Sequence, residues 1–152
     1  MFSIIYARRR RKCPETVELF HFNKENKMKI NIVTTALDES DNIPDFMGLI
    51  ASLRNFFDQD FQVVFVDNGS SDSTQSLLSN FTTLDKNLHL VTNSVGSLYA
   101  DGIEAALKNS TTDYSLLVPS DMQFSLSDIK KVLVAFDEIT GKGNDKHHFI
   151  FT

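Results

Sequence analysis

Three short polar segments carry the residues whose types could do chemistry. They are Ala36-Leu37-Asp38-Glu39-Ser40-Asp41-Asn42, Asp67-Asn68-Gly69-Ser70-Ser71-Asp72-Ser73-Thr74 and Pro119-Ser120-Asp121-Met122-Gln123-Phe124. Each holds at least one carboxylate. Converging carboxylates suit two tasks. They bind a hard divalent cation through oxygen, or they accept hydrogen bonds from sugar hydroxyls and base edges. A cation bridging a diphosphate turns an acidic crevice into a phosphate site. Each segment also has a plainer use. Residues 67–72 make a sound turn into a helix N-cap. Asp38-Glu39-Ser40-Asp41 is a common helix entry, with acids near the positive end of the helix dipole. Asp121 alone serves equally well as a loop or cap residue.

Whether the three segments meet depends on the elements between them. Residues 29–35 are short and β-branched, and read as a strand. Residues 41–57 place Ile43, Phe46, Met47, Ile50, Leu53 and Phe57 at helical spacing. Asp41 or Asn42 is the expected cap, and Pro44 suits the first turn. Residues 61–66 form a near-continuous apolar run, typical of a strand buried on both faces. A short helix over 71–81 follows, then a strand over 88–92 and a helix over 98–108. A fourth strand over 114–118 and a helix over 127–137 come next, and residues 148–151 begin a fifth strand. This repeated βα order predicts an α/β sandwich with a mostly parallel sheet. Ligands of such sheets bind beyond the carboxyl ends of the strands. All three polar segments follow strands, so they are expected on one edge.

Other chemistries lack their residues. No dinucleotide glycine fingerprint and no phosphate loop with Gly-Lys-Ser/Thr occurs, and no Gly-x-Ser-x-Gly elbow. The single Cys13 excludes an internal disulfide framework and a Cys-rich zinc site. His147-His148 reads as a solvated strand edge. A phosphate-accepting role for Asp67, as in a signalling receiver, lacks the acidic pair and the Thr/Ser and Lys strand ends.

The 152 residues suit one compact domain. Their net charge of −5 is uneven. Residues 1–27 hold seven Lys/Arg against three Glu, including Arg8-Arg9-Arg10-Arg11-Lys12. They read as a basic, disordered extension, with Met28 a natural start, or as an anchor for anionic lipid. The body from 28 to 152 is acidic, which speaks against a nucleic-acid footprint. No apolar run is long enough to span a bilayer.

The three motifs together resemble those of family 2 glycosyltransferases with the GT-A fold, in particular the dolichol-phosphate mannosyltransferase and polyprenyl-phosphate glycosyltransferase branch. The resemblance runs from about Met28 to Phe136. The family's Pro-Ala-Tyr-Asn-Glu with a following Asn-Ile is matched by Thr35-Ala36-Leu37-Asp38-Glu39 with Asn42-Ile43. Its Val-Asp-Asp-Gly-Ser-x-Asp-x-Thr is matched by Val66-Asp67-Asn68-Gly69-Ser70-Ser71-Asp72-Ser73-Thr74. Its Gly-Asp-Tyr and Asp-x-Asp-x-Gln are matched by Thr112-Asp113-Tyr114 and Pro119-Ser120-Asp121-Met122-Gln123, and Ser127-Asp128-Ile129 follows.

The resemblance implies a Rossmann-like three-layer sandwich of which residues 28–152 are the nucleotide-binding half. It implies that Ala36, Leu37 and Glu39 line the nucleotide and that Asp67 and Asn68 face the base or ribose. Asp121 would hold Mn2+ or Mg2+, with Ser120 and Gln123 as donor-site neighbours. The donor would be a UDP- or GDP-linked sugar and the acceptor a lipid phosphate or a glycan. The protein would work in the cytoplasm, peripherally at a membrane face. Three positions depart from the pattern. Pro119 stands for the first Asp of the metal motif, Leu37 for a Tyr that could stack on a base, and Asn68 for the second Asp. The family's acceptor half, with its general base, follows a strand beginning near His148, so the chain is expected to stop partway through that strand. No catalytic base can be assigned. A donor-binding module without its own turnover is the alternative, and an uncovered sheet edge suggests a homodimer.

Overall fold

The computed structural model describes residues 30–58, 61–112 and 114–140. The expectations for residues 1–27, Cys13, Asp113, His147-His148 and the fifth strand fall outside them. The described order is β1 (Ile30–Ala36), α1 (Ile43–Phe57), β2 (Val63–Asp67), α2 (Thr74–Leu84), β3 (Leu88–Thr92), α3 (Tyr99–Lys108), β4 (Tyr114–Leu117) and α4 (Leu126–Thr140). The strands form one parallel sheet in the order β3-β2-β1-β4. Burial follows this order. Every residue of the central strands β1 and β2 is buried, whereas the outer strands β3 and β4 are only partly covered. That is why residues 61–66 read as continuously apolar: both faces of β2 are covered by helices.

The strand period of two divides the core into two clusters. Ile30, Ile32, Val63 and Phe65 face one side, with the apolar stripes of α1, α2 and α4. Val33, Val64 and Val66 face the other, against Ala106 of α3. These are the three layers expected. On α1 the buried residues Ile43, Phe46, Leu49, Ile50, Leu53 and Phe57 recur every three or four positions. Phe46 meets Phe65 edge to face, with ring centroids 5.4 Å apart, and burying one such ring is worth about 1.5–3 kcal/mol. Arg54 fastens the amino end of the sheet. Its guanidinium pairs with Asp85 before β3, donates to the Phe61 carbonyl before β2 at 2.9 Å, and lies over the Phe61 ring.

Helix starts differ from expectation in instructive ways. Asn42 occupies the cap position of α1 without making a side-chain cap bond. Its amide donates to Glu39 Oε2 at 2.6 Å instead. Helix α2 starts at Thr74 and not at Ser71; Ser71 and Asp72 lie in the turn before it with their N–H groups on Asp38, and Asp72 Oδ1 accepts the Thr74 N–H at 2.8 Å. Helix α4 starts one residue earlier than expected, at Leu126. The Ser125 hydroxyl accepts from Asp128 N–H, and Asp128 Oδ2 accepts from Ser125 N–H, a reciprocal box that closes the first turn.

Candidate functional site

Parallel pairing decides where the polar segments go. Ala36 is in register with Asp67, and Asp67 with Thr92, so β1, β2 and β3 end at one level. The chain beyond β4 joins them: Val118 N–H donates to Val33 O, and the buried Ser120 hydroxyl donates to Thr35 O at 2.8 Å. The result is a crevice of about 420 Å³ at the carboxyl edge. Ala36, Leu37, Glu39, Asn68, Ser120, Asp121 and Gln123 all line it, together with Pro119. The three segments, far apart in sequence, therefore share one wall, as the strand order predicts.

Asp67 and Asn68 are placed less openly than their neighbours. Asp67 is 1% exposed. Its Oδ1 accepts the Ser70 N–H at 3.2 Å, and its carbonyl accepts the Asn93 N–H. Asn68 is buried as well, and its side chain is already engaged. Its Nδ2 donates to the Leu98 carbonyl at 3.1 Å, and its Oδ1 accepts from Asn93 Nδ2 at 2.8 Å. The amide thus ties the ends of β2 and β3 to the start of α3. A carboxylate could not make the bond to Leu98, since a carbonyl oxygen needs a donor. Gly69 turns the chain here at φ +82, and a Cβ on it would lie 2.6 Å from Val95 Cα. Only glycine fits.

Asp121 is half-buried at the crevice wall. Its Oδ1 accepts the Gln123 N–H at 3.2 Å, across Met122, which is held at φ +61. Among the described residues no three His, Cys, Asp or Glu gather as a metal-binding group. Small hard cations such as Mg2+ are commonly held by one or two carboxylates, with substrate phosphates and water completing the shell. Asp121 offers one such carboxylate at the crevice wall.

Three crevice residues were not picked out in the sequence: Thr35, Ser97 and Tyr99. Ser97 and Tyr99 belong to the connection after β3, which the strand-end rule also covers. Its polar signals, Asn93-Ser94 and Gly96-Ser97, are weak, and it has no carboxylate before Asp101. Tyr99 is 55% exposed and brings an aromatic ring to the crevice.

Residues 31–141 match the protein family described as Glycosyl transferase family 2. The undecaprenyl-phosphate 4-deoxy-4-formamido-L-arabinose transferase of Enterobacter sp. (strain 638) is 23% identical over 112 residues, covering 72% of this chain and 34% of that protein. Among solved structures, residues 1–349 of S. aureus TarS superpose with a TM-score of 0.61 at 22% identity, over 74% of this chain and 33% of the other. The mannosyltransferase PcManGT from Pyrobaculum calidifontis, in complex with GDP-Man and Mn2+, gives 0.53 at 20% identity, over 61% and 27%. The chain spans about a third of the length of these relatives.

Proposed function

This chain belongs to glycosyl transferase family 2, and from that premise we propose that its crevice binds the nucleoside diphosphate of a sugar donor. One observation carries the reading: the strand-end segments that match the family's motifs converge on a single 420 Å³ crevice containing Asp121. Glu39 and the backbone of Ala36 and Leu37 line the nucleotide. Tyr99 offers the aromatic face that Leu37 lacks, a surface for the base to stack on. Asp67 and Asn68 act indirectly, by fixing the floor between β2 and β3. Ser120 and Gln123 flank the diphosphate beside Asp121.

Asp121 would hold Mn2+ or Mg2+ together with diphosphate oxygens. The bound cation would supply Lewis-acid stabilisation of charge on the leaving diphosphate. UDP- and GDP-linked donors both suit a relative set that includes a TarS–UDP complex and the GDP-Man complex. The arabinose transferase named for undecaprenyl phosphate makes a lipid phosphate the favoured acceptor, with a glycan next. We propose that, working on such an acceptor, the protein acts at the cytoplasmic face of a membrane. No described helix is long and apolar enough to cross one.

A second reading, donor binding without turnover, also has an observation behind it. Among the described residues Glu39 and Asp121 are the only carboxylates that line the crevice, and Glu39 already accepts from Asn42. With Asp121 on a cation, no carboxylate of the described crevice is placed to deprotonate an acceptor hydroxyl.

Thermal melting of the 152-residue chain with UDP or GDP, with and without Mn2+, tests the binding that both readings share. A ligand at 100 times its dissociation constant adds about 2.7 kcal/mol. Donor binding predicts a Mn2+-dependent rise that Asp121→Asn abolishes; no rise with either nucleotide removes the proposal. Hydrolysis or transfer from the corresponding nucleotide sugar then separates an enzyme from a binding module.

A further inference from the structure

We propose that Asp72 and Asp38 are positioning residues of this crevice, holding the β1–α1 loop with Leu37 and Glu39 in its binding shape. The inference rests on the nucleotide reading above. Three consecutive main-chain amides of that loop are taken by side chains of the β2–α2 loop and of Thr74, the first residue of α2. Asp38 N–H donates to Ser70 Oγ at 3.0 Å, Glu39 N–H to Thr74 Oγ1 at 2.8 Å, and Ser40 N–H to Asp72 Oδ2 at 3.1 Å. The hold is reciprocal. Asp38 Oδ1 accepts the Ser71 N–H at 2.7 Å, the Asp72 N–H at 3.2 Å and the Ser71 hydroxyl at 3.1 Å. Asp72 Oδ1 accepts the Thr74 N–H at 2.8 Å, which fixes the start of α2 as well.

Asp38 stands at φ +55, a conformation uncommon for a residue with a side chain. Such a shape persists when its surroundings over-determine it. Successive amides around a left-handed residue form a concavity that receives anions. Here the protein's own carboxylate and hydroxyls fill it. Two consequences follow. These amides are not donors for a diphosphate, which leaves the phosphates to the Asp121 side of the crevice. The Leu37 and Glu39 wall is also set before any ligand arrives, so binding need not order it. Ordering a freed loop subtracts from affinity.

Isothermal titration of the full chain with UDP and with GDP, each in Mn2+, tests the role. For the nucleotide that the wild type binds, Asp72→Ala should weaken affinity about tenfold or more. Asp72→Asn keeps an acceptor oxygen and should fall between the two. Arg54→Ala, which loosens the opposite end of the sheet, should lower the melting temperature and leave affinity unchanged. Wild-type affinity in Asp72→Ala overturns the proposal, as does an equal loss in Arg54→Ala, since general loosening would then explain both. Should Asp72→Ala not fold, Asp72→Asn decides: weaker binding in folded protein supports the role, and unchanged binding overturns it. A wild type that binds neither nucleotide overturns the nucleotide reading itself, and this role with it.

Discussion

A Cβ on Gly102 of α3 would stand 2.8 Å from Asn68 Nδ2 and 2.9 Å from Asn68 Oδ1, so the glycine and the asparagine share one space. Thr35 Cγ2 lies 2.8 Å from the same point. The missing side chain lets α3 settle onto the carboxyl ends of β1 and β2. There its first turn meets the Asn68 amide and presents Tyr99 to the crevice.

Gly102→Ala should therefore destabilise, although alanine is the better helix former by about 1 kcal/mol. Overpacking costs about 1–3 kcal/mol, and Asn68 cannot move aside without losing its bonds to Leu98 and Asn93. The urea midpoint is expected to fall; a midpoint at or above that of the wild type would contradict this packing.

Asn68→Asp should restore the residue that the family pattern has and yet weaken the protein. It replaces the donor to the Leu98 carbonyl by an oxygen, a mismatch of about 1–3 kcal/mol. Burial beside that carbonyl raises the new carboxyl's folded pKa. A raised pKa means that the protonated form is favoured on folding, so the deficit should be smallest in acid and grow as pH rises. Unfolding of both proteins at pH 4 and pH 8 checks the sign, and a deficit that shrinks toward pH 8 would refute it.

Arg54→Ala removes the bonds to Asp85 and to the Phe61 carbonyl together. Hydrogen bonds to charged groups are worth about 1.5–3 kcal/mol, and a loss in that range is expected from chemical unfolding. Asp85→Asn should recover little of it in the double variant, because the Phe61 contact is lost with Arg54 in either background.

Acid should release the clasp late. Slight burial pushes the Asp72 carboxyl up, but hydrogen bonds from Thr74 and Ser40 outweigh it and lower its pKa from 3.8 to about 2. A depressed folded pKa means that the carboxylate stabilises the fold above pH 3.8 and that this contribution is lost as pH falls toward 2. The melting-temperature gap between wild type and Asp72→Asn should be constant at neutral pH and close in that window. A gap that closes near pH 6 would assign it to another group.

Local pattern sufficed for the eight described elements, because period and burial are local signals. Phe46, Ile50 and Leu53 announce a helix face, and the run from Val63 to Val66 a covered strand. Helix starts were less legible. The beginning of α2 is held by Asp72, which accepts the Thr74 N–H, and the turn before it by Asp38, more than thirty residues earlier in the chain.

The sequence by itself determined the alternation of strands and helices, and with it the edge of the sheet to which Glu39, Asn68 and Asp121 belong. Tertiary structure alone decided what each polar side chain does there. Residues 36–42 and 67–74 offer many Asp, Ser, Thr and Asn side chains of similar reach, and periodicity does not rank them. Only the parallel register of β1 on β2 brings the amides of Asp38, Glu39 and Ser40 against Ser70, Thr74 and Asp72. The same register turns Asn68 inward to Leu98 and leaves Asp121 on the crevice wall. Hydrogen bonds act over about 3 Å, so partners thirty residues apart are chosen by the fold that brings them within reach.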